Sequence, residues 1–518
     1  MFQSLISLTA VSLLTVPLSA QAGAELRRHD GGLFDGHGGT MASLGDINGD
    51  TVPDYVIGGD QYLTFSGSTV RVYSGATGGI LHSWGPFTNG EAVANAGDVD
   101  ADGINDIIIG SIWTNSKAGQ AKVYSGATGG LLLTFNGASP DDYLGNSVDG
   151  AGDVNGDGHD DLLIGAWGES AVLGFSGTAY LYSGLDGSLI RKYEGLIDHG
   201  YFGHSVAGLG DVDGDGVPDQ AIGELGNDTF GYNTGAAYVY SGATGALLQS
   251  WTGVADNSRF AEHMANLGDI DGDGRDDLVV SAMFQQPTGT AHVLSPGTGA
   301  TLFALTGFDP TEVFSDAIGP GQDVDGDSVP DIMVGSDRYY MSGGYTGMGR
   351  VFSGATGEEI RRFSPSSPDG RAGLAVCGLG DLNGDGLGEW AVGAPSENLN
   401  GFDSGSVYIL DGALLGLHYA VENWGPGQQA AFRVKGGTPL GVARLGYSLT
   451  GAGPTPTIYG DVAMTAPISL LATVSLDAQG NGEFLQTLPN GIAGLTVWSQ
   501  ALDLSSGTLS NPHPLLVD

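Results

Sequence analysis

A short aspartate-rich segment recurs seven times along the chain, at intervals of 52 to 58 residues. A repeat of this length has to be recognised before any single segment is interpreted, because each copy then represents one structural unit. Such a period suits the four-stranded blades of a β-propeller. The copies begin at Asp46, Asp98, Asp153, Asp211, Asp269, Asp323 and Asp381. Seven similar units therefore predict a repeat architecture rather than an ordinary globular domain.

Each unit contains four short segments with the composition of β-strands, separated by glycine-rich turns. In the fourth unit these segments are residues 205–209, 220–223, 236–240 and 247–251. The third-strand pattern occurs seven times, at 70–73, 121–124, 179–182, 236–240, 291–294, 350–352 and 407–410. The fourth-strand pattern follows it only six times, at 80–84, 131–135, 189–193, 247–251, 302–305 and 360–363. The seventh unit therefore lacks a fourth strand of its own.

The missing strand has a counterpart at the N-terminus. Residues 25–31 (Glu-Leu-Arg-Arg-His-Asp-Gly) resemble residues 189–195 (Leu-Ile-Arg-Lys-Tyr-Glu-Gly), which include the fourth strand of the third unit. If the N-terminal strand completes the last blade, the ring closes and the array has no exposed strand edge at either end. We therefore predict an all-β fold, a seven-bladed β-propeller closed by the N-terminal strand.

The aspartate-rich segments place oxygen-bearing side chains at positions 1, 3, 5 and 9 of a nine-residue loop. Carboxylate and amide oxygens are ligands that Ca²⁺ prefers, and a backbone carbonyl and water would complete its shell. We predict one structural Ca²⁺ per loop, up to seven in total. The predicted ligands are Asp46, Asn48, Asp50 and Asp54; Asp98, Asp100, Asp102 and Asp106; Asp153, Asn155, Asp157 and Asp161; Asp211, Asp213, Asp215 and Asp219; Asp269, Asp271, Asp273 and Asp277; Asp323, Asp325, Asp327 and Asp331; and Asp381, Asn383, Asp385 and Glu389.

Two other kinds of loop share part of this pattern. An EF-hand begins in the same way but requires a bidentate glutamate at position 12, where this chain always has isoleucine or valine inside the next predicted strand. The residues at position 12 are Ile57, Ile109, Ile164, Ile222, Val280, Val334 and Val392. Ordinary hairpin turns are also rich in aspartate and glycine. A turn does not require carboxylates at the same offsets in seven copies, so cation binding is the favoured interpretation.

The charge of the chain favours cations as partners. It has 59 acidic and 17 basic residues, a net charge of −42, so its field would repel nucleic acid and anionic lipid. Three of the 28 predicted ligands are asparagine, so the loops hold 25 of the 59 acidic residues. The single cysteine, Cys377, cannot form an internal disulfide and is expected to be a small core residue. Calcium would then stabilise the fold in place of disulfides, with the millimolar affinity typical of extracellular modules.

The two ends of the chain differ from the repeats. Residues 5–18 are an apolar run, and Ala20-Gln21-Ala22 has the form of a signal-peptidase site. The run is too short to span a bilayer, so we expect cleavage after Ala22 and export, secreted or associated with the cell surface, without membrane insertion. Residues 416–518 alternate apolar segments with turn signals, which favours a small C-terminal β-sandwich. The predicted domains are a signal peptide (1–22), the propeller (23–415) and a C-terminal β domain (416–518).

At the loops the chain resembles the FG-GAP repeats of integrin α-chain propellers. Such repeats combine a Phe-Gly start, a D-x-[DN]-G-D-G-x-x-D loop and a Gly-Ala-Pro end. Phe202-Gly203 and residues 393–395 reproduce the start and the end, whereas Leu144-Gly145 and Phe260-Ala261 depart from the start. The resemblance covers about residues 24–412 and is most specific in the loops. FG-GAP units also occur in exported bacterial proteins, and the recurring Tyr-Ser-Gly-Ala-Thr-Gly turn is similar to theirs.

In that family the propeller is a platform for protein binding or adhesion, and its calcium ions are structural. The resemblance therefore implies a calcium-stabilised extracellular binding or adhesion protein with no catalytic activity of its own. We expect a monomer whose ligand is an unidentified protein or glycan. A calcium-dependent polysaccharide lyase or glycosidase and a purely structural surface scaffold stay open as alternatives.

The sequence contains no recognised catalytic constellation beside the loops. The ten histidines follow no metal-binding spacing, and packing is the favoured role of His204 and His263, which occupy comparable first strands. Aromatic residues in the stretch after the second strands form a candidate ligand surface, with packing within the blade as the other interpretation. These residues are Trp113, Trp167, Tyr232, Tyr339 and Tyr340.

Overall fold

The computed structural model describes residues 25–412, apart from 60–67, 86–90, 171–173, 310–311, 342–343, 366 and 368, together with nine backbone strands between residues 418 and 516. Contacts between residues divide the chain into a compact unit Ala24–Gly412 and a second unit that includes Ala413–Asp518. The predicted signal peptide lies outside the described residues. The domain boundaries drawn from the sequence stay predictions.

Seven antiparallel four-stranded sheets make up the first unit, which confirms the predicted seven-bladed propeller. Blades 1 to 3 consist of His37–Gly45, Asp54–Gly59, Val70–Tyr73 and Ile80–Trp84; Glu91–Gly97, Asp106–Ser111, Gln120–Tyr124 and Leu131–Asn136; and Val148–Gly152, Asp161–Ala166, Thr178–Tyr182 and Leu189–Glu194. Blades 4 to 6 consist of Phe202–Gly208, Gln220–Glu224, Ala236–Tyr240 and Leu247–Thr252; Phe260–Gly268, Asp277–Ala282, Thr290–Ser295 and Ala300–Thr306; and Ala317–Pro320, Ile332–Ser336, Met348–Phe352 and Glu359–Phe363. Blade 7 consists of Ala375–Gly380, Glu389–Ala394, Ser406–Leu410 and the N-terminal strand Glu25–Asp30.

Two short elements interrupt this regular order. A hairpin of Tyr340–Met341 and Gly344–Tyr345 lies between the second and third strands of blade 6, and a helical segment, Thr114–Lys117, lies between those of blade 2. In the part of the chain that the structure describes, no helix has the length and apolar character needed to cross a bilayer.

The hydrophobic core lies between neighbouring blades. All six residues of the second strand of blade 1, Asp54–Gly59, are buried, because the middle of each blade is covered on both faces. Val56 and Val72 of blade 1 pack in one cluster with Ile107 and Ile109 of blade 2. Each blade therefore depends on its neighbours to bury its apolar faces.

The boundary between the last blade and the first is built in the same way. Cys377 and Ile409 of blade 7 share a buried cluster with Tyr55 and Ile57 of blade 1. Cys377 is thus a core residue, as predicted, and burial raises the pKa of its thiol to about 12. The seam, the boundary between blade 7 and blade 1, is therefore a buried apolar contact like the boundary between blades 1 and 2.

The N-terminal strand closes the ring, as the sequence predicted. Glu25–Asp30 pairs antiparallel with Ser406–Leu410, with Arg27 opposite Ile409 and Asp30 opposite Ser406. The outer edge of the third strand of blade 7 is thereby covered by a strand from the other end of the propeller.

Equivalent side chains explain why residues 25–31 resemble residues 189–195. Arg191 Nη1 donates to the Gly242 carbonyl of the next blade at 2.7 Å, and Arg27 Nη1 donates to the Gly75 carbonyl of blade 1 at 2.9 Å. Tyr193 and His29 are the next equivalent pair. Tyr193 Oη donates to Gln220 Oε1 at 2.8 Å, and His29 Nε2 lies 2.7 Å from Tyr55 Oη. The closing strand therefore repeats the contacts of an ordinary fourth strand with the following blade.

The described strands of the C-terminal unit form separate antiparallel sheets. One sheet contains His418–Glu422, Gln429–Lys435 and Gly482–Thr487; a second contains Ser469–Ser475, Val442–Ser448, Thr496–Asp503 and His513–Leu516; and Thr455–Thr457 pairs with Gly460–Val462. The packing of these sheets as a sandwich stays a prediction.

Loss of the closing strand is expected to destabilise the whole propeller. Deleting residues 23–31 exposes the edge of blade 7 and the Tyr55 side of blade 1, so the melting temperature should fall markedly. Arg27→Ala should lower the free energy of unfolding by about 1–2 kcal/mol, because its carbonyl contacts are lost. Arg28→Ala is the matched control, since the partly exposed Arg28 pairs with Asp30 of its own strand. An unchanged melting curve for the deletion would contradict this role.

The seam should also weaken at mildly acidic pH. Burial, together with the Arg27 guanidinium, lowers the pKa of His29 to about 4. An unfolded histidine titrates near 6.5, so the stabilisation from neutral His29 is complete above that pH and is lost as the pH falls toward about 4. His29→Tyr, which introduces the side chain found at Tyr193, removes this titration. Denaturant unfolding gives the difference in free energy of unfolding between the unaltered protein and His29→Tyr. This difference should change by on the order of 2–3 kcal/mol between about pH 7 and about pH 4. A difference that does not vary with pH would refute the stabilising role of neutral His29.

Candidate metal centres

Each predicted loop connects the first and second strands of its blade and winds around the carboxylate at position 1. In blade 1, Asp46 Oδ1 accepts the backbone N–H groups of Gly49 at 2.7 Å and Asp50 at 3.1 Å, and Asp46 Oδ2 accepts that of Thr51 at 2.7 Å. The bonds from positions 5 and 6 recur in the other six loops. The aspartate at position 1 therefore shapes the loop before any cation is considered.

Glycine recurs at the same positions of most loops because the backbone winds in this way. Positions 4 and 6 take positive φ angles, such as 86° at Gly214 and 90° at Gly216, which glycine adopts without strain. Ala101, Thr51 and Ser328 hold the same left-handed region in three loops. The glycines therefore allow the backbone conformation of the loop, and the carboxylates are the groups that could bind a cation.

Carboxylates from one loop lie close enough together to share a metal ion. In five blades three acidic groups offer oxygen atoms that all lie within 4.8 Å of one another. These groups are Asp98, Asp100 and Asp106; Asp211, Asp213 and Asp215; Asp269, Asp271 and Asp273; Asp323, Asp325 and Asp331; and Asp385, Glu389 and Asp411. Every donor is a hard oxygen atom, which suits Ca²⁺ or Mg²⁺ and not the thiolate and imidazole sites of zinc.

The carboxylate at position 9 is buried in every blade. Its side chain accepts the N–H of loop position 2, at 2.5 to 3.0 Å across the seven blades. The seven residues, Asp54, Asp106, Asp161, Asp219, Asp277, Asp331 and Glu389, all have 0% exposure. Position 9 therefore fastens the loop to the start of the second strand.

Burial makes these carboxylates difficult to ionise without positive charge nearby. It raises the pKa to about 6 for Asp106, Asp161, Asp219 and Asp277, to about 7 for Glu389 and to about 8 for Asp331. Other carboxylates of the same loop raise it further, as Asp325 does for Asp331. A proton or a cation relieves this cost, so the chemistry of the donors fits a divalent ion.

Asp411 is a candidate ligand that the loop motif does not contain. Six blades have serine at this point in the turn after the third strand, and Ser183 Oγ donates to Asp157 Oδ2 at 3.2 Å. The serine position thus lies beside loop position 5, and in blade 7 it supplies Asp411 to the group with Asp385 and Glu389. Alignment of the seven repeats reveals the serine-to-aspartate difference, but only the fold brings the turn to the loop.

Neighbouring loops also contact one another. Asp160, at position 8 of the blade 3 loop, accepts the N–H of Asp98 in blade 2 at 2.8 Å. Asp276, at position 8 of the blade 5 loop, accepts the N–H of Gly210 in blade 4 at 2.8 Å. These contacts link loops across blade boundaries, and residues at position 8 were outside the predicted ligand set.

The histidines singled out from the sequence lie in the first strands of blades 4 and 5. Burial lowers the pKa of both His204 and His263, so each is neutral at physiological pH. His204 Nδ1 lies 3.3 Å from the backbone carbonyl oxygen of Glu262, and the backbone N–H of His263 donates to Ser281 Oγ at 2.9 Å. These contacts between blades and strands agree with a packing role.

The predicted aromatic residues lie at the opposite ends of the strands from the aspartate loops. Trp167 stacks on Tyr143 with ring centroids 4.2 Å apart, so packing accounts for it. Trp113 contacts the edge of Tyr143 and is exposed, and Tyr232 is 68% exposed. Tyr339 contacts Phe308, and the side chain of Tyr340 lies outside the described residues. The predicted set therefore divides into packed and exposed rings.

Comparison with known proteins agrees with this geometry. The FG-GAP repeat family matches residues 144–182, 265–294 and 372–410, each of which contains one aspartate loop. Integrin alpha-5 of Xenopus laevis is 32% identical over 205 residues, 36% of this chain and 19% of the relative. Integrin alpha-PS2 of Drosophila melanogaster is 34% identical over 175 residues, 32% of this chain and 12% of the relative.

A relative of another kind is also similar. Phosphatidylinositol-glycan-specific phospholipase D of Mus musculus is 38% identical over 150 residues, 26% of this chain and 17% of the relative. Each match thus spans less than a fifth of the relative's length. The chain carries FG-GAP repeats, built into a seven-bladed β-propeller, and is similar to integrin alpha chains over part of their length.

Proposed function

We propose that this protein is a calcium-stabilised extracellular binding or adhesion propeller without catalytic activity of its own. The observation that carries the calcium assignment is repeated in every blade: a fully buried carboxylate at loop position 9 adjoins partly or fully exposed oxygen-bearing side chains at positions 1, 3 and 5. Each loop holds one Ca²⁺, up to seven in all, through the 28 residues predicted from the sequence. Asp411 adds a carboxylate in blade 7.

The role of the cations is structural. In five blades three carboxyl groups lie within 4.8 Å of one another, and every loop also has a buried carboxyl group, an arrangement of like charges that opposes folding when these groups ionise. A cation that binds only the folded loop stabilises the fold in proportion to the logarithm of its concentration over its dissociation constant. Millimolar extracellular calcium is sufficient for sites of the affinity expected here.

The ligand surface is the face opposite the aspartate loops. Because the four strands of each blade alternate in direction, the connections between second and third strands and those between blades meet at that face. Large apolar side chains are exposed there, with Leu196 73%, Phe230 68%, Val254 79% and Phe402 64% accessible. Exposed apolar surface of this kind favours an interaction site, and a protein or glycan is the ligand class.

The similarity to integrin alpha chains supports the binding role, and the predicted signal peptide supports export to the cell surface or the medium. The strong negative charge disfavours nucleic acid as a partner, and we propose a monomer that is not inserted in a membrane. A polysaccharide lyase or glycosidase stays a second hypothesis, which any turnover of polysaccharide would revive.

Chelation is expected to destabilise the propeller. In the exported chain at about pH 7.5, EDTA should lower the melting temperature by several degrees, and millimolar Ca²⁺ should restore it, because the loop carboxylates lose their counter-ion. Isothermal titration of the chelated protein gives the number of sites. Sodium chloride at equal ionic strength is the control for general screening. Equal melting temperatures in EDTA and Ca²⁺ would sink the calcium assignment.

Substitution on the opposite face should impair binding without affecting stability. On glycan and protein arrays probed in Ca²⁺, Phe230→Ala combined with Tyr232→Ala should weaken the signal about tenfold or more, because exposed aromatic rings commonly anchor interfaces. Leu247→Ala, at the exposed start of a fourth strand, is the matched control and should bind normally. A silent array for the unaltered protein would favour the purely structural scaffold. Normal binding by the double variant would move the ligand site elsewhere.

A further inference from the structure

One of the seven blades lacks a hydrogen bond that the other six share. In those six blades the glycine in the turn after the third strand donates its N–H to the carboxylate at loop position 9. These bonds are Gly75 to Asp54 at 2.9 Å, Gly126 to Asp106 at 2.9 Å, Gly184 to Asp161 at 3.1 Å, Gly242 to Asp219 at 2.8 Å, Gly354 to Asp331 at 3.1 Å and Gly412 to Glu389 at 3.3 Å. Blade 5 has Pro296 at this place, and proline has no N–H.

Without the glycine donor, one oxygen of a buried carboxylate has no backbone N–H as a partner. Asp277 has 0% exposure, and its Oδ2 accepts the N–H groups of Ile270 at 3.0 Å and Asp271 at 3.2 Å. Its Oδ1 and the neighbouring Ser295 Oγ have no regular hydrogen-bond partner, although the Ser295 hydroxyl lies close enough to lower the pKa of the Asp277 carboxyl. A buried charged oxygen of this kind is costly to leave unpaired.

The same loop presents the rest of a cation site. Asp269, Asp271 and Asp273 offer oxygen atoms within 4.8 Å of one another. Asp277 Oδ2 is bonded to the backbone of this loop, and the Asp271 carboxylate is close enough to raise the pKa of the Asp277 carboxyl. A divalent cation bound in the loop would give Asp277 the positive partner that the glycine N–H gives its equivalents in the other blades.

We infer that blade 5 depends more on its bound Ca²⁺ for its folded state than a blade that keeps the glycine donor, such as blade 4, because the cation takes the place of that donor at Asp277. This inference rests on the proposed calcium sites but goes beyond them, because it makes the seven sites unequal. Calcium removal should then open blade 5 first, while a blade with its glycine donor, such as blade 4, keeps its loop closed for longer.

The test restores the missing donor. Pro296→Ala supplies an N–H and keeps a Cβ, which blade 5 already accommodates at this position. The reverse change in blade 4 is unsuitable, because a Cβ at Gly242 would lie 1.9 Å from the Pro218 carbonyl oxygen. Loss of a proline also raises the conformational entropy of the unfolded chain, which lowers stability equally with and without calcium. The quantity to compare is therefore the gain in stability that calcium produces.

Hydrogen exchange read by mass spectrometry on the exported chain, with Ca²⁺ and with EDTA, gives that comparison blade by blade. In the unaltered protein, EDTA should accelerate exchange in the blade 5 loop, residues 269–277, about tenfold more than in the blade 4 loop, residues 211–219. In Pro296→Ala this excess should disappear, and the calcium-dependent rise in melting temperature should shrink.

The possible outcomes separate the two proposals. Equal calcium responses of blades 4 and 5 in the unaltered protein, or an undiminished excess in Pro296→Ala, overturn the inference while the calcium sites stand. An absence of any response to EDTA in every blade removes the proposed calcium sites themselves. Asp277→Asn, which neutralises the carboxylate, should lower calcium affinity in blade 5 alone; normal affinity in that variant would also overturn the assignment of Asp277 as a ligand.

Discussion

A propeller blade has two broad apolar faces and can cover neither of them by itself. Its second strand is buried along its whole length only because another blade packs on each side, so every blade needs two neighbours. Seven blades satisfy this requirement only if the ring closes. Closure depends on one strand of six residues, Glu25–Asp30, which pairs with Ser406–Leu410 from the far end of the propeller. Loss of that pairing exposes apolar surface on two blades at once, which is why the seam repeats the contacts of an ordinary boundary, with Arg27 in the place of Arg191.

The aspartate loops add a charged layer to this apolar ring. The carboxylate at position 1 organises its loop by local hydrogen bonds, whereas the carboxylate at position 9 is buried and connects the loop to the second strand and to the turn after the third. Position 9 therefore makes hydrogen bonds both within its loop and to a distant turn, and burial there raises the pKa of the carboxyl. A cation placed between the exposed and buried carboxylates offsets both repulsion and desolvation. The proposed calcium sites and the proposed ligand surface then lie at opposite ends of the same strands.

Much of this arrangement could be predicted because the sequence repeats. Seven copies of the loop established the number of blades, the offset of residues 25–31 indicated the closing strand, and isoleucine or valine at position 12 excluded an EF-hand. The aromatic residues were less predictable. Trp167 and Tyr232 both follow second strands, yet Trp167 stacks on Tyr143 from the connection between blades 2 and 3, and Tyr232 is exposed. Their difference arises from neighbouring loops, whose length and course vary from blade to blade.

By itself the sequence determined the repeat, the strand order, the loop positions that carry oxygen-bearing side chains and the identity of the closing segment. These are properties of spacing along one chain. Only the tertiary structure decided which atoms meet across segments: that position 9 is fully buried, that Asp411 joins Asp385 and Glu389, and that Asp277 lies where its equivalents accept a glycine N–H and Pro296 offers none. The turn after the third strand lies more than 20 residues from its loop, as Gly75 does from Asp54, so only the antiparallel pairing of the second and third strands brings them together. Spacing can specify a ligand set, but contact between distant segments decides how each ligand is paired.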